Sequence, residues 1–89
     1  MLTPVYTKQF ERDLKLMLKR GKDPEKFKTV AKLLLSEAPL LPKHKDHKLS
    51  GSYTGRRDCH IENDWVLIYK KETTAIIFER MGTHSDLFE

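Results

Sequence analysis

Arg57-Asp58-Cys59-His60-Ile61-Glu62, then Asn63-Asp64, then Trp65-Val66-Leu67-Ile68-Tyr69-Lys70 is the stretch that decides the fold. Arg57, Cys59 and Ile61 alternate with Arg56, Asp58, His60 and Glu62, the period of two that belongs to a β-strand. One face of that strand is partly apolar and the other strongly polar. Asn63-Asp64 is a turn, and the nearly unbroken β-prone run over 65–70 reads as a central strand. A second turn over 71–74 leads into a third strand over 75–80.

Upstream of this region the period changes. Tyr6, Phe10, Leu14, Met17 and Leu18 make one helical stripe, with Lys8, Arg12, Lys15 and Lys19 lying off it. Gly21 is a helix stop. Asp23-Pro24 then supplies an N-cap and a first-turn proline for a second helix, whose stripe is Phe27, Val30, Ala31, Leu34 and Ala38. Pro39 ends that helix at Ala38. Residues 2–5 read as a short strand, placed at an edge by Pro4, and residues 40–46 as a loop around Pro42. The expectation is α+β: a two-helix hairpin packed on one face of a small, mostly antiparallel β-sheet, a single domain over residues 1–89.

At 89 residues the chain buries roughly 60–65% of its unfolded surface and has no room for a multidomain enzyme. A hydrophobic fraction of 38% is too high for a disordered chain. The apolar runs over 33–35 and 65–69 fall far short of the ~20 residues that span a bilayer. No basic-then-apolar leader opens the sequence, and the lone Cys59 has no internal disulfide partner. A cytoplasmic protein with no membrane association is expected. Charge is divided unevenly: residues 1–50 carry twelve Lys and Arg against six Asp and Glu, the rest five against seven. A basic face attracts polyanions, although a solvated lysine-rich helix surface has the same composition.

The polar face of the 57–61 strand holds the chemistry. If Cys59 and Ile61 face the helices, Asp58 and His60 point to the exposed side. His47 stands before that strand, Asp64 after it, and Arg80 and His84 near the end of the last one. Antiparallel neighbours bring such ends together, so His47, His60, Asp64, Arg80 and His84 can share one patch. These are the residue types of metal-free RNA cleavage: a base for the ribose 2′-hydroxyl, an acid for the departing 5′-oxygen, and a cation for the phosphate. Histidine suits both proton transfers, and Arg80 or Arg56 can hold a phosphate with forked donors. Four histidines in a small domain are more often surface residues. A metal site is not expected, because paired-Cys spacings are absent and His60 and Asp64 straddle a turn. No cofactor is called for. Cys59 alternates with the core face and reads as a buried small residue. Phe88 can anchor the tail or stack against an unstacked base.

The run His47-Lys-Leu-Ser-Gly51, then Gly55-Arg56-Arg57-Asp58-Cys59-His60-Ile61, then Asp64-Trp65-Val-Leu-Ile-Tyr69 resembles the YafQ branch of the RelE/ParE toxin superfamily. Phe78-Glu-Arg80-Met-Gly82-Thr83-His84-Ser-Asp-Leu87-Phe88 is similar to that branch's C-terminal signature. The resemblance implies a RelE-like fold and the toxin of a type II toxin–antitoxin pair. It also implies a ribonuclease that cuts messenger RNA, characteristically on the translating ribosome, and is held inactive by its cognate antitoxin. Carried over residue by residue, it implies a functional set of His47, His60, Asp64, His84 and Phe88. Within that set His84 or His60 would be the acid, Asp64 or the other His the base, and Phe88 would position a nucleobase. Arg80 joins them as a phosphate contact. Arg56, Arg57 and Asp58 are expected around the substrate, Asp58 orienting a neighbouring His or Arg. Lys15 and Lys19 belong to a basic hairpin that can meet ribosomal RNA or an acidic antitoxin segment. Two further functions stay open: a ParE-like DNA gyrase poison, and an RNA-binding module without turnover.

Overall fold

The computed structural model describes residues 1–88. Its elements run β1 (Thr3–Tyr6), α1 (Lys8–Lys19), α2 (Pro24–Leu35), β2 (His47–Lys48), β3 (Arg57–Glu62), β4 (Trp65–Lys71), β5 (Ala75–Gly82) and α3 (His84–Phe88). The five strands form one sheet in the order β1-β5-β4-β3-β2. Only β1 and β5 pair in parallel; the other pairs are antiparallel. The expected α+β architecture, a helix hairpin on a mostly antiparallel sheet, is what the chain forms.

Helix boundaries follow from local chemistry. Thr7 caps α1, accepting from Phe10 N–H at 2.9 Å while its hydroxyl donates to Glu79 O at 2.9 Å. That cap cuts Tyr6 off from the helical stripe. Tyr6 belongs to β1 instead and stacks on Phe78 with ring centroids 5.3 Å apart. Gly21, at φ +86°, stops α1: its N–H reaches Leu18 O and that of Lys22 reaches Met17 O. Asp23 caps α2 through Glu25 N–H, as its position before Pro24 predicts. The far end of α2 comes earlier than Pro39 suggests. Glu37 takes the same left-handed role at φ +58°, with Glu37 N–H on Leu34 O and Ala38 N–H on Leu33 O, so α2 ends at Leu35.

The main core lies between the helices and one sheet face, where Phe10, Met17, Phe27, Val30 and Leu34 meet Cys59, Trp65, Leu67, Tyr69, Ile76 and Phe78. Phe10, Phe27 and Phe78 pack ring on ring. The opposite sheet face is not bare, contrary to the expectation that Asp58 and His60 point into solvent. The unforeseen helix α3 and a 3₁₀ turn at Gly51–Tyr53 cover it, and Val66, Ile68 and Leu87 form a second small core there with Leu49 and Tyr53. This double cover explains why β4 reads as an unbroken apolar run: from Trp65 to Tyr69 it is buried on both faces.

Two register shifts shape the sheet. Tyr69 pairs with Phe78 but Ile68 with Arg80, leaving Glu79 as the extra residue in β5. Similarly His60 pairs with Val66 and Glu62 with Trp65, leaving Ile61 extra in β3. Both bulges lie beside the polar cluster described next.

Candidate active site

Asp64, in the turn between β3 and β4, and His84, the first residue of α3, are the most closely coupled pair. Asp64 Oδ1 accepts the His84 backbone N–H at 2.9 Å and its Nδ1–H at 2.6 Å. The two bonds hold the Asp64 carboxyl below the usual carboxylate range, the backbone N–H first. A carboxylate so held is a weak base and a strong orienter, which counts against Asp64 as proton acceptor. The His84 ring is thereby fixed through Nδ1, with Nε2 outside that bond.

The His60 ring meets that of His84 edge-on, with centroids 5.1 Å apart. Burial pushes His60 below the ordinary imidazole range, against the opposing pull of Asp58. Its Nδ1 is buried with no hydrogen-bond partner, and so is Asp58 Oδ1, two residues away on the same strand face. Burial raises the Asp58 carboxyl, and His47, His60 and His84 each pull it back down. His47, on the two-residue strand β2, brings Nδ1 to 3.0 Å from Asp58 Oδ1 but donates its hydrogen bond to Lys45 O at 2.8 Å. Unsatisfied buried polar atoms are uncommon, and a functional role is one explanation for them. Asp58 is thus a buried carboxylate facing three histidines and not an exposed substrate ligand.

Phe88 is half-exposed, 6.1 Å from the His84 ring and edge-on to Tyr53 at 5.9 Å. Tyr53 donates its hydroxyl to Leu87 O at 3.3 Å, which ties the tail of α3 to the 3₁₀ turn. An open groove lined by Leu49, Ser50, Gly51, Ser52, Tyr53, Leu87 and Phe88 adjoins the cluster. The structure therefore brings together His47, Asp58, His60, Asp64, His84 and Phe88.

The arginines are distributed differently. Arg80 is clamped by Asp13 of α1, Nε to Oδ2 at 2.9 Å and Nη2 to Oδ1 at 3.4 Å. It shares the sheet face of Ile68, with the Tyr53 hydroxyl close to its guanidinium. Arg56 binds Glu79 at 2.8 Å. Arg57 corrects an expectation, because it sits on the helix side of the sheet. There it forks onto Asp46, which also accepts the Tyr69 hydroxyl at 2.6 Å. Arg57 pins the loop ahead of His47 and does not line the histidine cluster. Lys15 and Lys19 are exposed on α1 with no ion pair to the cluster.

Several residues escaped the pattern-based reading. Asp13 looks like a polar position on an amphipathic helix, yet it is buried and also accepts Met81 N–H at 3.1 Å. His44 is buried and donates Nδ1–H to His60 O at 2.7 Å, fixing the β3 bulge. Asp86 had a readable signal: Thr83-x-x-Asp86 is a capping box in form. Thr83 N–H donates to Asp86 Oδ2 at 2.9 Å, and Asp86 N–H to Thr83 Oγ1 at 3.1 Å. Among the described residues no group of three or more His, Cys, Asp or Glu is placed to hold a metal ion, and no helix is long and apolar enough to cross a membrane.

A family model described as "Bacterial toxin of type II toxin-antitoxin system, YafQ" matches residues 2–89. The chain belongs to the YafQ toxin family. It is similar to the mRNA interferase toxin YafQ of Escherichia coli strain K12, 48% identical over 84 residues that cover 93% of this chain and 91% of the relative. The crystal structure of the Escherichia coli DinJ–YafQ complex contains a chain that superposes with a TM-score of 0.92 at 44% identity, each chain covered in full. A metal-bound toxin from Helicobacter pylori superposes at 0.93 with 39% identity, covering 99% of this chain and 100% of that one. The YafQ-type resemblance read from residues 47–88 and the RelE-like fold it implies are thus shown.

Proposed function

We propose that this YafQ-family toxin is a cytoplasmic, single-domain, metal-independent endoribonuclease that cleaves messenger RNA on the translating ribosome. A cognate antitoxin holds it inactive. The observation that carries this reading is the edge-on approach of His60 and His84 at 5.1 Å, with Asp64 fixing the second ring. Two imidazoles at that spacing suit the two proton transfers of 2′-hydroxyl attack on the adjacent phosphate. His60, kept neutral by burial, takes the 2′-hydroxyl proton. The 2′-oxygen attacks phosphorus and the P–O5′ bond breaks. His84 Nε2–H protonates the departing 5′-oxygen. Arg80 stabilises the phosphate charge, and Arg56 reinforces the field. His47 binds beside His60, Asp58 orients the histidines around it, and Phe88 stacks on a base next to the cut. The exposed Lys15 and Lys19 contact ribosomal RNA. The relatives' names, an mRNA interferase toxin and a DinJ–YafQ complex, support both the activity and the antitoxin.

The test is to map the 5′ ends of a defined messenger RNA in a purified translation system. Wild-type and His84→Ala protein are each assayed with and without ribosomes, and with EDTA on free RNA. New ends with wild type and ribosomes alone support the full reading. Ends on free RNA would remove the ribosome requirement, and their loss in EDTA would remove metal independence. No new ends in any reaction would turn attention to DNA gyrase or to RNA binding without turnover.

A further inference from the structure

Helix α3 has five residues, far too few to hold itself together, yet its first residue is His84 and its last Phe88. What fixes its direction is therefore what fixes the site. Leu87 anchors one side in the second core and Tyr53 binds Leu87 O. A further tie comes from 66 residues away. Arg20, the residue that closes α1, sends Nη1 to Asp86 Oδ2 at 2.8 Å and Nη2 to Asp86 Oδ1 at 3.4 Å. Asp86 simultaneously closes the cap of α3 through Thr83 N–H. It also lies so close against β5 that a Cβ on Gly82 would stand 2.8 Å from its own Cβ. Asp86 is thus locked from three directions: by the cap, by the glycine surface and by the arginine fork.

The geometry points to Arg20 as a positioning residue for His84, acting through Asp86 and never touching the substrate. The inference rests on the proposed nuclease reading for its kinetic consequence but not for its structural one. An exposed pair of this kind contributes little to global stability. It sets the angle of a helix whose N-terminal side chain must keep a 2.6 Å bond to Asp64 and face His60. Small misplacements of a proton donor are costly in rate. The competing account is that Arg20 is a phosphate ligand resting on Asp86 until RNA arrives.

A double-mutant cycle separates the two. Cleavage rates are measured for wild type, Arg20→Ala, Arg20→Lys, Asp86→Asn, Asp86→Ala and the Arg20→Ala/Asp86→Ala pair. Arg20→Ala should lower kcat about 5–30-fold with KM within about 2-fold, and Arg20→Lys should recover part of that. Asp86→Asn keeps an oxygen for Thr83 N–H and should lose about as much as Arg20→Ala. In the Asp86→Ala background, removing Arg20 should change kcat by less than about 2-fold. A full further loss there, or a loss carried by KM, would make Arg20 a substrate ligand and overturn the assignment. The His84 ring resonances, followed by NMR in the same variants, should shift on Arg20→Ala while those of the Phe10–Phe27–Phe78 core stay in place. An unmoved His84 overturns it, and so does a change spread through the core with a large fall in Tm. If wild type itself cuts no RNA, the nuclease reading fails while the His84 resonances still decide this inference.

Discussion

A single carboxylate oxygen, Asp64 Oδ1, receives both the backbone and the ring N–H of His84, joining the β3–β4 turn to the start of α3. The two hydrogen bonds to one acceptor fix where the residue sits and how its ring is turned. Asp64→Ala removes both controls. Its cleavage rate should fall about 10²–10⁴-fold, the range lost with a proton-transfer group itself. Asp64→Ala/His84→Ala should be no slower than His84→Ala alone, because the two act as one unit. Single-turnover cleavage of a defined RNA measures this. Additive losses would show Asp64 acting independently of His84.

The pH profile should carry the mark of His60. Its pKa is lowered from the ordinary 6.5 by burial, so the neutral, base-competent form persists below that pH. The acidic limb of kcat/KM is therefore expected to bend below pH 6.5 in wild type. The same shift has a stability consequence of fixed sign. The unfolded chain binds the proton more readily than the folded one, so stability from this group is full above pH 6.5 and falls as pH drops toward the lower folded value. Urea unfolding at pH 7.5 and pH 5.5 should show wild type losing more stability than His60→Gln over that interval.

Asp13 should matter mainly for folding. It is buried, accepts Arg80 through two nitrogens, and satisfies Met81 N–H where β5 runs past the end of β1. Asp13→Ala strands a half-buried guanidinium and an N–H together. It should cost about 2–4 kcal/mol in urea unfolding. Asp13→Asn, which keeps an acceptor for Met81, should cost less.

Cys59 offers a simple check of the packing. It is fully buried in the main core, and burial pushes its thiol far above the usual range. Native protein should resist iodoacetamide at pH 8, and protein in 6 M guanidinium should be alkylated promptly. Rapid labelling of the native chain would mean that the sheet–helix core opens.

Periodicity carried most of the architecture, because stripes of Phe10, Met17, Phe27, Val30 and Leu34 and the alternation through Cys59 and Ile61 reflect burial directly. The failures have physical causes. Tyr6 fits a helical stripe but belongs to a strand, since Thr7 caps the helix one residue later. Helix α3 is too short to show a period at all. Its cap residues, Thr83 and Asp86, were the one available signal. In the site, the histidines and Asp64 were legible as residue types collected at strand ends. The assignment of partners was not. Arg57 and Arg56 are adjacent in sequence yet bind Asp46 and Glu79, acids 33 residues apart, and Asp13 pairs with Arg80 across 67 positions. Such long-range pairings leave no local trace in composition or spacing.

The parallel pairing of β1 with β5 has a consequence for biosynthesis. Thr3 to Tyr6 emerge early from the ribosome, but their partners Ala75 to Phe78 follow some seventy residues later. Contacts so distant in the chain form late in folding. Until residues 75–78 are out, the first strand has no strand partner. The five-stranded sheet is therefore incomplete throughout elongation over these residues.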